Sequence, residues 1–131
     1  MQFGIIIPLK QYSTPEALRS IAQKTEELGY DSLWVSDHLI VPNAYKSGFG
    51  GDRYEFLTAM TYLAALTSRV KLGTSVIIVP YRNPILVARV ITTIDHLSEG
   101  RVIFGAASGW LREEFEFLGV CLLYTSPSPR D

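Results

Sequence analysis

The sequence predicts an α/β fold built on a parallel sheet. Strand-like and helix-like apolar patterns alternate four times along the chain. They recur every ~30–40 residues, the size of a right-handed strand–helix–strand unit. The ends of the strand patterns gather small, polar or ionisable residues, while the strand bodies are apolar. Four such units make either a small doubly wound sheet or half of an eight-unit barrel of about 250 residues. Periodicity does not choose between them.

Phe3-Gly4-Ile5-Ile6-Ile7 is a short continuous apolar run, the pattern of a strand buried on both faces. Ser13-Thr14-Pro15-Glu16 contains a capping-box pattern with a first-turn proline. Leu18, Ile21, Ala22, Thr25 and Leu28 follow at helical spacing, and Gly29 supplies a left-handed stop. A second strand is expected over residues 32–35, then a long glycine-containing loop over 39–54, of the kind usually reserved for function. A helix over 56–66 carries Phe56, Met60, Leu63 and Ala64 on one stripe. The third strand is expected over 70–76. Asn83-Pro84 then caps a helix whose many β-branched residues oppose helical propensity. Its stripe of Val87, Val90, Ile91, Ile94 and Leu97 has period 3.6, and the pattern outweighs the propensity. A fourth strand over 101–106 and a helix from 110 to 120, with Leu111, Phe115 and Leu118 aligned, complete the series.

Composition narrows the function classes. At 47% hydrophobic and 19% charged the chain is globular, not disordered. A net charge of −1, scattered singly, leaves no basic footprint for nucleic acid or anionic lipid. No apolar run reaches the ~18 residues that span a membrane, and the N-terminus lacks a basic n-region, so a cytoplasmic protein is expected. The single cysteine, Cys121, rules out an internal disulfide.

Ligands sit at the C-terminal ends of parallel strands in both candidate architectures. Those ends are Pro8, Ser36-Asp37-His38, Thr74-Ser75-Val76 and Ala107-Ser108-Gly109. His38 is the strongest candidate, because imidazole titrates near neutrality and can give or take a proton during turnover. Asp37 beside it points to the other side if the strand continues, so the two need not touch. His96 lies late in a helix, far from the rim. A metal site at Asp37-His38 is weakly supported, because the first strand ends in Pro8-Leu9-Lys10 and not in a histidine pair. Gly105-Ala106-Ala107-Ser108-Gly109 ahead of a helix can cradle a phosphate or a ring edge through its backbone N–H groups, or serve as a plain turn.

Taken together, Trp34-Val35-Ser36-Asp37-His38, Leu72-Gly73-Thr74-Ser75-Val76, Pro80-Tyr81-Arg82-Asn83-Pro84, Asp95-His96-Leu97-Ser98-Glu99-Gly100-Arg101 and the stretch from Gly105 to Phe115 resemble the luciferase-like monooxygenase superfamily. The likeness is to its F420-dependent branch and runs in order over residues 1–120. It implies a (β/α)8 TIM barrel, of which this chain holds the first four βα units. It further implies hydride transfer between the deazaflavin coenzyme F420 and a small-molecule substrate, by a homo-oligomeric enzyme. Within the resemblance His38 matches a proposed acid/base beside the deazaflavin ring and Asp37 its neighbour at the mouth of the site, and both are expected to be catalytic. Ser75-Val76 matches a non-prolyl cis peptide that backs the ring, and Thr74, Ser75 and Val76 are expected to bind the cofactor. Ser108 and Gly109 match a loop that hydrogen-bonds the cofactor. Some relatives carry Glu in the place of Trp110, so that contact is absent here. Many flavin-using relatives carry Glu-His-His where this chain has Ser36-Asp37-His38, which favours F420 over the alternative, an FMN-dependent monooxygenase. A non-catalytic barrel of the same fold is the reading from another class.

The eleven residues from Cys121 to Asp131 resemble a read-through translation of a transposon-end sequencing adapter, which leaves residues 1–120 as the barrel segment. Four units cannot close an eight-stranded barrel. The chain by itself is therefore expected to be inactive and poorly folded, with unpaired edges at its first and fourth strands.

Overall fold

A computed structural model describes residues 1–9, 14–49 and 54–122. Ser13, Lys10, part of the long loop and most of the adapter-like segment lie outside them. The elements, in chain order, are β1 (Gly4–Ile6), α1 (Pro15–Glu27), β2 (Ser32–Val35), a 3₁₀ turn (Asn43–Tyr45), α2 (Lys46–Phe49) and α3 (Phe56–Leu66). They continue with β3 (Lys71–Thr74), β4 (Ile77–Ile78), a second 3₁₀ turn (Val79–Tyr81), α4 (Pro84–Leu97), β5 (Val102–Ile103), β6 (Ala106–Ala107) and α5 (Arg112–Phe117).

Strands β1, β2, β3 and β5 pair in that order, all parallel. One row of the sheet, Ile5–Leu33–Leu72–Val102, packs under the helices. Leu33 and Leu72 are buried there among Leu18, Met60, Leu63, Val87 and Ile94. The next row, Ile6–Trp34–Gly73–Ile103, lies on the other face. A Cβ on Gly73 would collide with the Trp34 ring, so only glycine lets the indole lie across the sheet there. The Trp34 indole N–H donates to the Ser32 hydroxyl at 2.8 Å.

Local signals explain the helix boundaries. Thr14 accepts from the Ala17 N–H ahead of Pro15, and Asn83 accepts from the Ile85 and Leu86 N–H groups ahead of Pro84. The cap of α1 is thus Thr14, one residue later than a Ser13 capping box requires. Gly29 and Gly100 end α1 and α4 at positive φ.

Four expectations are corrected. The first strand is buried on one face only: Ile7 is fully buried, yet Ile6 is 64% exposed, because β1 is an edge strand whose second face no helix covers. The third and fourth strands each break in two, as β3/β4 and β5/β6. The Thr74 side chain substitutes for strand pairing between the breaks, its hydroxyl donating to the Gly105 carbonyl at 2.7 Å and accepting from the Gly105 N–H at 2.8 Å. Beyond them β4 and β6 pair again in parallel. The long loop folds locally into a 3₁₀ turn and α2. Helix α5 is shorter than residues 110–120, since Gly119 takes a positive φ after Leu118.

The N-terminal end of the sheet is tied by charged side chains. The Glu26 carboxylate accepts from the Ser68, Arg69 and Val70 N–H groups. Arg101 donates to the carbonyls of Ala64, Thr67, Val70 and Ser98, capping the last turn of α3. Asp95 accepts from the Val102 N–H. No helix among the described residues is long and apolar enough to cross a membrane.

Candidate active site

The opposite end of the sheet is built differently. Strand β2 ends at Val35, whose carbonyl accepts the Ser75 N–H at 2.7 Å, so the second and third strand ends meet there. The next two ionisable residues then diverge. Asp37 is 3% exposed and turns toward β4. Its Oδ2 accepts from the Ile78 N–H at 2.9 Å and from Arg82 Nη1 at 2.6 Å, while its Oδ1 accepts from Arg82 Nη2 at 2.9 Å. Arg82 also donates to Glu55 at 3.1 Å and lies over the Phe56 ring, 4.9 Å from its centroid. Burial pushes the Asp37 carboxyl above its ordinary range, against the pull of Arg82 and the Ile78 N–H.

His38 turns toward α5 instead. Its Nδ1 lies 3.0 Å from Oε2 of Glu114, a residue with no exposed surface. Glu114 also receives the Leu39 N–H at 2.6 Å, the Ile40 N–H at 3.0 Å and the Tyr81 hydroxyl at 3.0 Å. Burial acts to raise its carboxyl, but the bonds from His38, Ile40 and Tyr81 outweigh it and hold the group below its ordinary range. Burial and then the Glu114 charge push the Tyr81 phenol well above its usual value, so it remains a donor. The Tyr81 ring packs edge-on against Phe115 at 4.8 Å. Tyr45, from the loop after β2, meets the Trp110 ring edge-on at 6.1 Å and donates to Glu113 at 3.3 Å. The second and fourth units are thereby joined at the rim.

Beside this cluster lies a shelf of small side chains. Ser75, Val76, Ala106, Ala107 and Ser108 are all exposed. The Ser75-Val76 peptide is cis. Gly109 takes φ +86°, and a Cβ there would stand 2.6 Å from Ile78, so the turn after Ser108 requires glycine. Of the residues expected at the site, Ser75, Val76, Ser108 and Gly109 flank the paired strands β4 and β6, and His38 is tied to α5 through Glu114. Thr74 is fully buried, and Asp37 is directed to Arg82. His96 is exposed on the last turn of α4.

Sequence reasoning missed Glu114, Tyr81 and Arg82. Glu114 had a legible signal: it falls between Leu111 and Leu118 on the buried stripe of its helix, where a carboxylate is rare unless paired. The Asp37–Arg82 pair spans 45 residues and follows from no local spacing.

The sequence model of the luciferase-like monooxygenase family matches residues 1–130. An F420-dependent glucose-6-phosphate dehydrogenase of Amycolatopsis mediterranei is 40% identical over 106 residues, covering 80% of this chain and 31% of that protein. The pyrimidine monooxygenase RutA of a Bradyrhizobium species is 35% identical over 134 residues, covering 92% of this chain and 36% of that one. Among solved structures, the coenzyme F420-dependent tetrahydromethanopterin reductase of Methanopyrus kandleri superposes with a TM-score of 0.69 at 27% identity, over 92% of this chain and 30% of that one. The chain spans about a third of the length of these relatives. The parallel units described above are thus the first four βα units of a (β/α)8 barrel.

Proposed function

Because the chain belongs to the luciferase-like monooxygenase family, we propose that the full-length protein is an oxidoreductase transferring a hydride between coenzyme F420 and a small organic substrate. The observation that carries this reading is His38, held by the buried Glu114 at the strand-end rim, together with the small exposed side chains of Ser75, Val76, Ala106, Ala107 and Ser108 at the third and fourth strand ends. Such a shelf fits one face of a flat ring. When bound, the deazaflavin supplies the carbon that accepts or returns a hydride.

The residues of this chain do the rest. Val76 offers an apolar backing, while Ser75, Ser108 and the Gly109 N–H offer polar contacts to a ring edge. Thr74 acts from beneath, by holding the break between β3 and β4. An alcohol that gives up hydride from carbon must also release the proton on oxygen, and His38 takes that proton. Asp37 orients the end of β2 through Arg82 and Ile78 and does not itself react.

The runner-up is an FMN-dependent monooxygenase, supported by the likeness to the Bradyrhizobium monooxygenase over nearly the whole chain. Fluorescence titration of the full-length protein with F420 and with FMN separates the two. Binding of FMN with none of the deazaflavin overturns the cofactor assignment. Turnover is then followed as F420 reduction, with glucose 6-phosphate and a secondary alcohol as probes. His38→Ala lowers kcat by roughly 10²–10⁴-fold and leaves cofactor affinity nearly intact. An unchanged kcat removes His38 from the chemistry.

A further inference from the structure

We propose that Glu114 is the positioning residue of this site: its carboxylate fixes His38 as the Nδ1–H tautomer and makes Nε2 the nitrogen that exchanges the proton. The inference rests on His38 being the acid/base of the proposed reaction.

An ionised carboxylate offers about four acceptor sites and no donor. At Glu114 three donors and one ring nitrogen meet them. Oε1 takes the Leu39 and Ile40 N–H groups, at 2.6 and 3.0 Å, and Oε2 takes the Tyr81 hydroxyl and His38 Nδ1, both at 3.0 Å. The two amides cannot reverse direction. Tyr81 keeps its proton, and the carboxyl is held in its ionised form. An acceptor-only oxygen 3.0 Å from Nδ1 therefore requires a proton on Nδ1, since two lone pairs at that distance repel.

In a neutral imidazole one nitrogen donates and the other accepts, and the partner of one decides the role of both. With Nδ1 committed as donor, Nε2 of the neutral ring is an acceptor, the state needed to take a proton from an alcohol. The same nitrogen returns the proton in the reverse direction. Glu114 touches neither substrate nor cofactor in this scheme and acts wholly through His38.

The amide variant separates this role from packing. In Glu114→Gln the side-chain oxygen can still face the two loop amides, but the group facing Nδ1 becomes an NH₂ donor. Nδ1 must then accept, and the proton moves to Nε2. A carboxylate-to-amide change behind a catalytic histidine acts in this way in serine proteases, lowering kcat about 10⁴-fold.

The test uses full-length protein labelled with ¹⁵N-histidine, with His38 assigned by the resonances missing in His38→Ala. In the neutral ring of the wild type, Nδ1 is expected to carry the proton and Nε2 to be pyridine-like. In Glu114→Gln the two patterns exchange, F420 affinity is unchanged, and F420 reduction with the active probe slows roughly 10²–10⁴-fold. A wild-type His38 protonated on Nε2 overturns the proposal at once, even if the glutamine variant fails to fold. Exchanged tautomers with undiminished turnover overturn it as well. If His38→Ala leaves turnover intact, the acid/base reading fails instead, while the wild-type tautomer measurement still decides what Glu114 does to the ring.

Discussion

At the N-terminal end of the strands, Glu26, Arg101 and Asp95 direct their charges onto backbone groups of the neighbouring unit. At the C-terminal end, Asp37, Arg82, Glu114 and His38 direct theirs largely onto one another. Both ends satisfy buried polar groups, but only the second, among the described residues, does so mainly by pairing ionisable side chains with each other. A charge bonded to backbone holds two elements together and has little chemistry left to do. A charge bonded to another ionisable side chain sets that partner's protonation, tautomer and direction. This division matches the general rule for barrels, in which one face serves stability and the other catalysis.

The sharpest way to break the comparison is Arg82→Leu in the full-length protein. It leaves Asp37 buried without its counter-ion, a change expected to cost about 3–5 kcal/mol. Denaturant unfolding should show that loss, and Asp37→Asn in the same background should recover most of it. A loss below about 1 kcal/mol would mean that the pair does not hold the rim together. A smaller effect is expected at the other end. Arg101→Ala strips donors from the last carbonyls of α3 and should cost about 2–3 kcal/mol, with kcat and cofactor affinity unchanged. A fall in kcat alone would erase the proposed division between the two ends.

The smallest effect is a pH dependence. Burial acts to raise the Glu26 carboxyl, but the N–H groups of Val70, Arg69 and Ser68 outweigh it and hold the group below its ordinary range. A carboxyl with a lowered folded-state pKa binds protons more weakly than in the unfolded chain. Its contribution is therefore fully present above the unfolded value, about 4.3, and is lost as pH falls through the folded value. The stability difference between wild type and Glu26→Gln should be steady near neutrality and shrink in acid. A difference that grows as pH falls reverses the sign and refutes the assignment.

Elements fixed by local chemistry were legible in the sequence. The observed β2 and α3 have the expected boundaries, because an apolar run or a helical stripe ends where its own residues change character. The breaks in the third and fourth strands were not legible, because a side chain of one strand pairs with the backbone of the other across the sheet. At the site, His38 stood out by its chemistry and its place at a strand end. Asp37 was seen as a residue, but its partner was not, since nothing between positions 37 and 82 marks them as neighbours. Glu114 was visible in principle, as a carboxylate on an apolar stripe, but its place in the cluster depends on where α5 docks.

That docking has a consequence for the order in which the molecule is assembled. The pairings of β1 with β2, β2 with β3 and β3 with β5 each join successive units, so the sheet can grow by short closures as the chain lengthens. The bond from Glu114 to His38 spans 76 residues and closes a loop that encloses α3, the whole third unit and the fourth strand. The entropy of closing a loop rises only slowly with its length once the intervening units are folded. Contacts between residues far apart in sequence nevertheless form late in folding. A nascent chain that has emerged only as far as β5 already contains every strand of the four-stranded sheet, yet its histidine still lacks the carboxylate. The bond between His38 and Glu114 is therefore one the chain makes after its sheet pairings are in place, when the fourth unit turns back onto the second.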